Sequence, residues 1–294
     1  MPGKQTIAVT GANGFIGSVL CATLLKSGYP VIPILSKSSS ASGKQRRCDI
    51  TDPKSVLDSL DGSDIVIHLA GEADATRCSE DFEQCYRLNV EGTRNVLSAS
   101  KDKRLIFASS SYVYGTQDKG TCSENDPLLG KNLYAITKIA SESLCNNYSL
   151  NHGHRVTIMR FFTIFGEKMN ENHLVPSVIK QALLEKSITV RRMSVVGDFL
   201  HVADAAEAIV STIKKGKAGQ AYNIGSGVGT PISEIVQHIV NNLGKMPVKD
   251  LNIVGTEPPV LVADITKLKS IGWRQQVTLS EGLDRMIEFY RGHR

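Results

Sequence analysis

Apolar residues recur along the first two thirds of this chain in short unbroken runs, and between those runs they recur at helical spacing. Ile7 to Leu25 (IAVTGANGFIGSVLCATLL) begins as a short apolar strand, passes through a glycine-rich turn and continues as a helix. Further strands are predicted at Val31 to Leu35, Cys48 to Ile50, Ile65 to His68, Arg104 to Ala108, Arg155 to Phe162 and Ala221 to Ile224. Runs that are apolar on both faces suit a parallel sheet covered on each side, because its central strands meet no water. Asp52-Pro53 marks a helix start, with proline in the first turn. Phe82 to Ser100 and Tyr134 to Leu150 carry apolar residues at the helical period. This alternation predicts an α/β fold, a doubly wound parallel sheet of about seven strands. Beyond Gly166 the rhythm weakens, and helical patterns at 174–186, 203–215, 232–243 and 279–290 are separated by Gly- and Pro-containing connections. We expect residues 1–165 with 198–226 to build the sheet domain. Residues 166–197 and 227–294 would then form a smaller lobe over the C-terminal strand edge, where open α/β sheets bind ligands.

Within the first strand–helix unit, Gly11, Gly14 and Gly17 stand three residues apart, a GxxGxxG spacing. A strand, a glycine turn and a helix in this order lay a dinucleotide pyrophosphate on the helix N-terminus; glycines at such intervals also occur in plain strand-to-helix turns. Asn13, Phe15 and Ile16 share the loop. After the second strand come Ser36 and Lys37, and no acidic residue follows until Asp49. Hydroxyls and a cation suit the 2′-phosphate of NADP, whereas a carboxylate would bond the ribose 2′-hydroxyl of NAD. NADP is therefore the expected cofactor, with NAD the alternative, and the competing view of SKSSSASGK is a plain polar loop.

Composition narrows the class. With 294 residues, 41% hydrophobic and 21% charged, the chain buries a full core. Its net charge of +5 is scattered. Arg46-Arg47, Arg191-Arg192 and Lys214 to Lys217 have no interleaved aromatics, so solvated turns are expected there and no nucleic-acid partner. Six cysteines show neither a CxxC pair nor zinc-site spacing, so they are expected to be buried or idle thiols that hold no metal. No apolar leader and no run of about 18 apolar residues appears, which leads us to expect a soluble, reduced, cytoplasmic protein without a membrane partner.

Tyr134 and Lys138 stand at i and i+4, on one helix face. Bringing a phenol that titrates near 10 to neutrality takes about 3 pKa units, or about 4 kcal/mol. A neighbouring ammonium and an oxidised nicotinamide both act in that direction. Tyr134 is thus a candidate general acid/base, with Lys138 tuning it and holding the nicotinamide ribose. Ser110, 24 residues earlier at the end of the fifth strand, can hydrogen-bond the substrate oxygen, and Ser111 could share the role.

TGANGFIG, HLAG, LNVEGT, SSSYVYG, YAITK, RFFTIFG, ENHLVPSVI, DFLHVADAAEAI, AYNIGSG and a terminal IGW with EGL together resemble the NAD(P)-dependent epimerase/dehydratase family over nearly the whole chain. This is the nucleotide-sugar branch of the extended short-chain dehydrogenases. The resemblance implies a Rossmann-type sheet with a smaller C-terminal substrate-binding lobe, and Ser110, Tyr134 and Lys138 as the catalytic set. It also implies cofactor contacts from Gly11, Asn13, Gly14, Phe15, Ile16, Gly17, Ser36, Lys37, Asp49, Ile50, Leu69, Ala70, Tyr134, Lys138 and Phe161. Substrate contacts would come from Ser111, Thr163, Asn172 and Leu174. Asn89 would be mainly structural, and the family commonly forms homodimers through two helices, here those near 82–100 and 134–150.

The departures bear on the reaction. Dehydratases of this family carry Asp-Glu directly after the catalytic hydroxyl, where this chain has Ser111 and Tyr112, which argues against a dehydratase. Thr163 replaces an asparagine that meets the nucleotide diphosphate, and Gly197 and Val254 replace two arginines, which removes bidentate phosphate contacts. Arg191 or Arg192 could substitute. The expected activity is reduction of a 4-keto nucleotide sugar. A nucleotide-sugar 4-epimerase with bound NAD is the alternative; a reductase of a non-sugar carbonyl and a non-catalytic NAD(P) sensor come behind it.

Overall fold

The computed structural model describes residues 4–36, 39–40, 42–115, 120–185, 187–244, 246–251 and 260–292. The chain runs through β1 (Ile7–Thr10), α1 (Phe15–Lys26), β2 (Val31–Ser36), β3 (Arg46–Cys48), α2 (Pro53–Leu60), β4 (Ile65–His68), α3 (Ala75–Glu80) and α4 (Phe82–Tyr86). A π-helical turn, Arg87–Glu91, leads into α5 (Gly92–Ser98), and β5 (Arg104–Ser110) runs into a 3-10 turn, Ser111–Tyr114. Then come β6 (Thr121–Cys122), α6 (Leu133–His152), β7 (Arg155–Phe161), β8 (Thr163–Phe165), α7 (Leu174–Leu184), β9 (Ile188–Val190), β10 (Val196–His201) and α8 (Val202–Lys215). The last part holds β11 (Gln220–Ile224), β12 (Gly229–Pro231), α9 (Ile232–Leu243), β13 (Val248–Asp250), β14 (Val262–Ala263), α10 (Thr266–Ser270) and α11 (Leu279–Gly292).

Seven of these strands form one parallel sheet in the order β11-β7-β5-β4-β1-β2-β3. Every residue of β1 and β4 is buried, as expected for central strands with helices on both faces. One face packs Ile7, Val9, Ile65 and Ile67 with Leu20 and Leu24 of α1 and Ala205, Ile209 and Ile213 of α8. The other packs Ala8, Val66, Leu105 and Phe107 with Val56 and Leu60 of α2, Val96 and Leu97 of α5 and Cys145 of α6. Strand order reverses beside β1, which opens the crevice where such sheets take their ligands. A separate apolar cluster joins α7, β9, α9 and α11, and Phe15 of the glycine loop packs against it.

Three expectations are corrected. The third strand lies at Arg46–Cys48, not Cys48–Ile50. Asp49 turns out of it because its N–H donates to Ser55 Oγ and its carboxylate accepts from the N–H and hydroxyl of Thr51. The helical pattern over Phe82 to Ser100 is interrupted by the π-turn at Arg87–Glu91. Cys78 and Cys85 are not idle thiols: they form a disulfide, Cα to Cα 5.1 Å, linking α3 to α4. The remaining cysteines, Cys21, Cys48, Cys122 and Cys145, are free.

The long helix α6 is locked to the sheet by a buried ion pair. Arg160 in β7 meets Glu142 in α6, with Nη2 2.8 Å and Nε 3.0 Å from the carboxylate. The same guanidinium donates to the Tyr114 hydroxyl and the Glu124 carbonyl, and Tyr114 donates to Asn223 Oδ1 at 2.6 Å. Both charged side chains are almost fully buried, so each depends on the other. Glu142→Ala is expected to cost about 3–5 kcal/mol by leaving an unpaired buried guanidinium. Urea unfolding of the variant beside wild type measures it, and a loss under about 1 kcal/mol would show that water reaches Arg160.

Candidate active site

The glycine loop connects β1 to α1 along a path that excludes side chains. Gly11 has φ +69°, and a Cβ there would lie 2.9 Å from the Ala70 nitrogen; at Gly17 it would collide with the Gly11 carbonyl oxygen. Gly14 caps α1 without a side-chain hydrogen bond. The N–H groups that open α1, from Phe15, Ile16 and Gly17, are therefore left to face whatever enters the crevice. The cradle that a Cβ would fill fits a pyrophosphate at a helix N-terminus. At its rim Asn13 Nδ2 donates to Ser39 Oγ at 3.0 Å, and Ser39 Oγ lies 2.9 Å from Ser36 Oγ. The loop and the end of β2 thus share one hydroxyl cluster, and Lys37 lies outside the described residues. Ile50 is buried against Gly92, and its carbonyl accepts from Asn95.

Behind the loop sits a hydrogen-bond chain with a defined direction. The Ala70 N–H donates to Thr10 Oγ1 at 3.2 Å, and Thr10 Oγ1 is 2.8 Å from His68 Nδ1. His68 Nε2 is 3.3 Å from Thr93 Oγ1, which donates to the Asn89 carbonyl. Because the Thr93 proton is committed to that carbonyl, Nε2 is the donor of the imidazole and Nδ1 accepts from Thr10. Complete burial, and then the charge of Lys138, bring His68 down to about 3. A neutral ring fits both bonds. His68 was legible only as part of HLAG; its role in fixing Thr10, and through it the backbone at Leu69 and Ala70, required the structure.

Ser110 ends β5 in extended conformation, in register with Phe161 of β7, and its hydroxyl accepts from the Tyr112 N–H at 3.2 Å. Tyr134 opens α6 after Asn132, whose side chain caps the helix by accepting from Ala135 N. Burial pushes the Tyr134 phenol up to about 12, against a hydrogen bond from Ser110 that pulls it down, while Tyr112 and Glu72 add to the rise. Lys138 donates to the Ala108 carbonyl at 2.9 Å, with Nζ 5.0 Å from the Phe107 ring centre and 6.0 Å from that of Tyr134. Burial brings its ammonium down to about 8. In the protein alone, then, burial moves both groups toward their neutral forms. Next to Ser110, the hydroxyl of Ser109 is buried without a partner among the described residues.

Ser111 is buried in the 3-10 turn, and Tyr112 beside it is 47% exposed, its ring edge-on to Tyr134 at 6.0 Å. Thr163 pairs with Phe199 and keeps its side chain exposed. Asn172 and Leu174 lie at the start of α7, where Leu174 packs into the second apolar cluster. Gly197 lacks a guanidinium, and a Cβ there would touch the Phe199 ring at 3.0 Å. Asn89, from the π-turn, donates to the Glu72 carbonyl and to Thr137 Oγ1, both at 3.0 Å, and accepts from the Glu72 N–H at 2.8 Å.

A glycine cradle at a strand-order reversal, with serine, tyrosine and lysine converging on the same strand edge, defines a nicotinamide-cofactor enzyme of the short-chain dehydrogenase type. The chain belongs to the NAD dependent epimerase/dehydratase family, whose sequence profile matches residues 7–225. It is 30% identical to a UDP-N-acetyl-alpha-D-glucosaminuronate decarboxylase of Bacillus cytotoxicus, over 98% of each chain. It is 27% identical to a GDP-6-deoxy-D-mannose reductase of Pseudomonas aeruginosa, over 96% of each. Among solved structures, RMD from Pseudomonas aeruginosa complexed with NADPH superposes with a TM-score of 0.88 at 25% identity, covering 99% of this chain and 100% of that one. MoeE5 in complex with UDP-glucuronic acid and NAD gives 0.88 at 28% identity, covering 98% and 100%. Among the described residues, no helix is long and apolar enough to cross a membrane.

The His68 assignment has a pH consequence. A folded-state pKa near 3 against an ordinary 6.5 means that the unfolded chain binds the extra proton first as pH falls. His68 therefore contributes stability that is full above pH 6.5 and is lost progressively toward pH 3, roughly 5 kcal/mol in all. Urea midpoints between pH 7 and 4 should fall less in His68→Gln than in wild type. An NMR titration in which the His68 ring protonates near 6.5 would overturn the assignment.

Proposed function

We propose that this chain is an NADP-dependent reductase of a 4-keto nucleotide sugar, with Ser110, Tyr134 and Lys138 as its catalytic residues. The observation that carries the proposal is the placing of Ser110, Tyr134 and Lys138 at the end of β5, in the same parallel sheet whose β1 leads into the glycine loop. A ketone oxygen accepting from Ser110 and Tyr134 gains charge as its carbon is reduced, and a phenol that holds its proton at neutral pH supplies that proton. Gly11, Gly14 and the opening turn of α1 would hold the pyrophosphate and Lys138 the nicotinamide ribose, with Leu69, Ala70 and Phe161 as further cofactor contacts. The nicotinamide, once bound, supplies the hydride.

Support for NADP comes from the Ser36 and Ser39 hydroxyls at and just after the end of β2, joined to Asn13 of the glycine loop, and from the NADPH-bound neighbour. The NAD-bound neighbour keeps the alternative open, an epimerase that retains its NAD. Asp49 and Ile50 are assigned to the adenine side, and Ser111, Thr163, Asn172 and Leu174 to the sugar nucleotide, between the sheet domain (1–165 and 198–226) and the lobe (166–197 and 227–294). Exposed Phe82, Tyr86 and Ile136 on α4 and α6 support a homodimer through those helices. The cytoplasm is where we place the enzyme.

Tyr134→Phe should lower turnover by about 10²–10⁴-fold with cofactor affinity nearly unchanged. Retention of more than about a tenth of the rate would remove Tyr134 from the acid/base role. With a 4-keto nucleotide sugar, NADPH should be consumed stoichiometrically, and deuterium from labelled NADPH should appear at the reduced carbon. Interconversion of two epimers with tightly held NAD and no change at 340 nm would favour the epimerase instead.

Ser36→Asp should shift cofactor preference toward NAD by setting a carboxylate where the 2′-phosphate would lie. Titration of both cofactors against both proteins reads the shift. Tighter binding of NAD by wild type would overturn the assignment of the hydroxyl cluster.

A further inference from the structure

The disulfide between Cys78 and Cys85 lies against the candidate site. Both residues are fully buried, and they form one apolar cluster with the ring of Tyr134 and with Ala75. The other four cysteines are isolated thiols, and burial pushes Cys21 and Cys122 up to about 11 and raises Cys48 and Cys145, which makes them poor nucleophiles. One hydrogen bond and one close contact join the Cys85 sulfur to the site. Asn89 Nδ2, 3.5 Å from that sulfur, also donates to Thr137 Oγ1 and to the Glu72 carbonyl. The Thr137 hydroxyl, 4.0 Å from the same sulfur, donates to the Tyr134 carbonyl at 2.8 Å. Cys85 also forms part of the wall of a surface cavity of about 350 Å³, together with Glu72, Arg77 and Gln84, whereas Cys78 does not, so local opening of that wall brings a thiolate to the Cys85 sulfur before that of Cys78.

We propose that Cys78 and Cys85 are a reversible dithiol/disulfide couple that sets the activity of the adjoining Tyr134 site, with a dithiol as its reductant. The proposal rests on the reductase reading and on the reducing compartment given above, where a disulfide is characteristically a redox-responsive one. One thiolate of the reductant attacks the Cys85 sulfur; the S–S bond breaks, and its electron pair leaves on Cys78, which takes a proton. The second thiol of the reductant, deprotonated, then attacks the mixed disulfide and expels the Cys85 thiolate, which is protonated in turn. Two electrons and two protons pass to the protein, and the dithiol becomes a disulfide.

Once reduced, the two sulfurs must move from bonding distance to van der Waals contact inside a close-packed cluster, so Tyr134 and the Asn89 amide are displaced. Misplacing a reacting group by about 1 Å costs about 10²-fold in rate, so the oxidised form is the active one.

The test equilibrates the full chain with graded ratios of reduced to oxidised dithiothreitol and reads thiols by differential alkylation and mass spectrometry. Amide exchange and NADPH oxidation with a 4-keto nucleotide sugar are followed in parallel. Reduction of Cys78 and Cys85 should raise exchange over residues 71–91 and the first turn of α6 and leave β1 and β4 protected. Turnover should fall by about tenfold or more over the same range, mostly in kcat, and return on reoxidation. The double variant Cys78→Ala with Cys85→Ala should ignore the dithiol ratio. Free alkylation of both cysteines in the oxidant-equilibrated native protein, or their reduction with exchange and turnover unchanged, would overturn the proposal. A full response of thiols and exchange with no sugar turnover in either state would instead sink the substrate reading and leave the couple standing.

Discussion

The contact on which the rest of the structure depends is the buried pairing of Arg160 with Glu142. A guanidinium enclosed in a sheet is tolerable only if its donors are matched, and here a carboxylate, a phenol and a carbonyl match them. Satisfying that charge fixes the rotation of α6, since Glu142 must face β7. Tyr134 and Lys138 lie two and one helical turns before Glu142, on the same side, so the same requirement delivers them to the end of β5. Tyr114 and Asn223 extend the constraint to β11 and, through the Cys122 carbonyl, to β6. A single desolvated charge thus ties the position of the candidate catalytic helix to four strands.

Burial also decides the electrostatic character of the site. It drives the Tyr134 phenol and the Lys138 ammonium in opposite directions on the pH scale, each toward its neutral form. The phenol therefore stays neutral beside an ammonium that gives up its proton more readily than an exposed lysine does. An arrangement of this kind suits a reaction in which charge develops transiently on a substrate oxygen, because fixed donors and a held proton need little rearrangement when it appears.

Much of this was legible in the sequence because the relevant signals are local. The apolar runs of β1 and β4, the three glycines and the i, i+4 relation of Tyr134 to Lys138 each depend on residues close in the chain, and all appear where the pattern put them. The third strand was displaced by two residues because Asp49 is recruited by Thr51 and Ser55 into a turn, a side-chain competition that hydrophobic periodicity does not register. The disulfide escaped because seven-residue spacing matches no metal or redox motif; the break between α3 and α4 at Asp81, which sets two short helices side by side, is not visible in the cysteine spacing. His68 was hidden for a related reason. A histidine inside an apolar strand has no signature until Thr10 and Thr93, from distant parts of the chain, close around its two nitrogens.

The π-turn at Arg87–Glu91 holds one residue more than regular helix needs. Removing any one residue there would let α4 and α5 fuse into a single ideal helix, which local energetics would favour. Because the wider turn already takes up the extra residue, α4 and α5 would keep their phase, and what a deletion would remove is the widened turn that presents Asn89 to Glu72 and Thr137. The extra residue therefore serves the placement of one side chain and not the packing of the two helices, whose buried faces are set with or without it. A smoother, more regular helix would be a worse one for this protein.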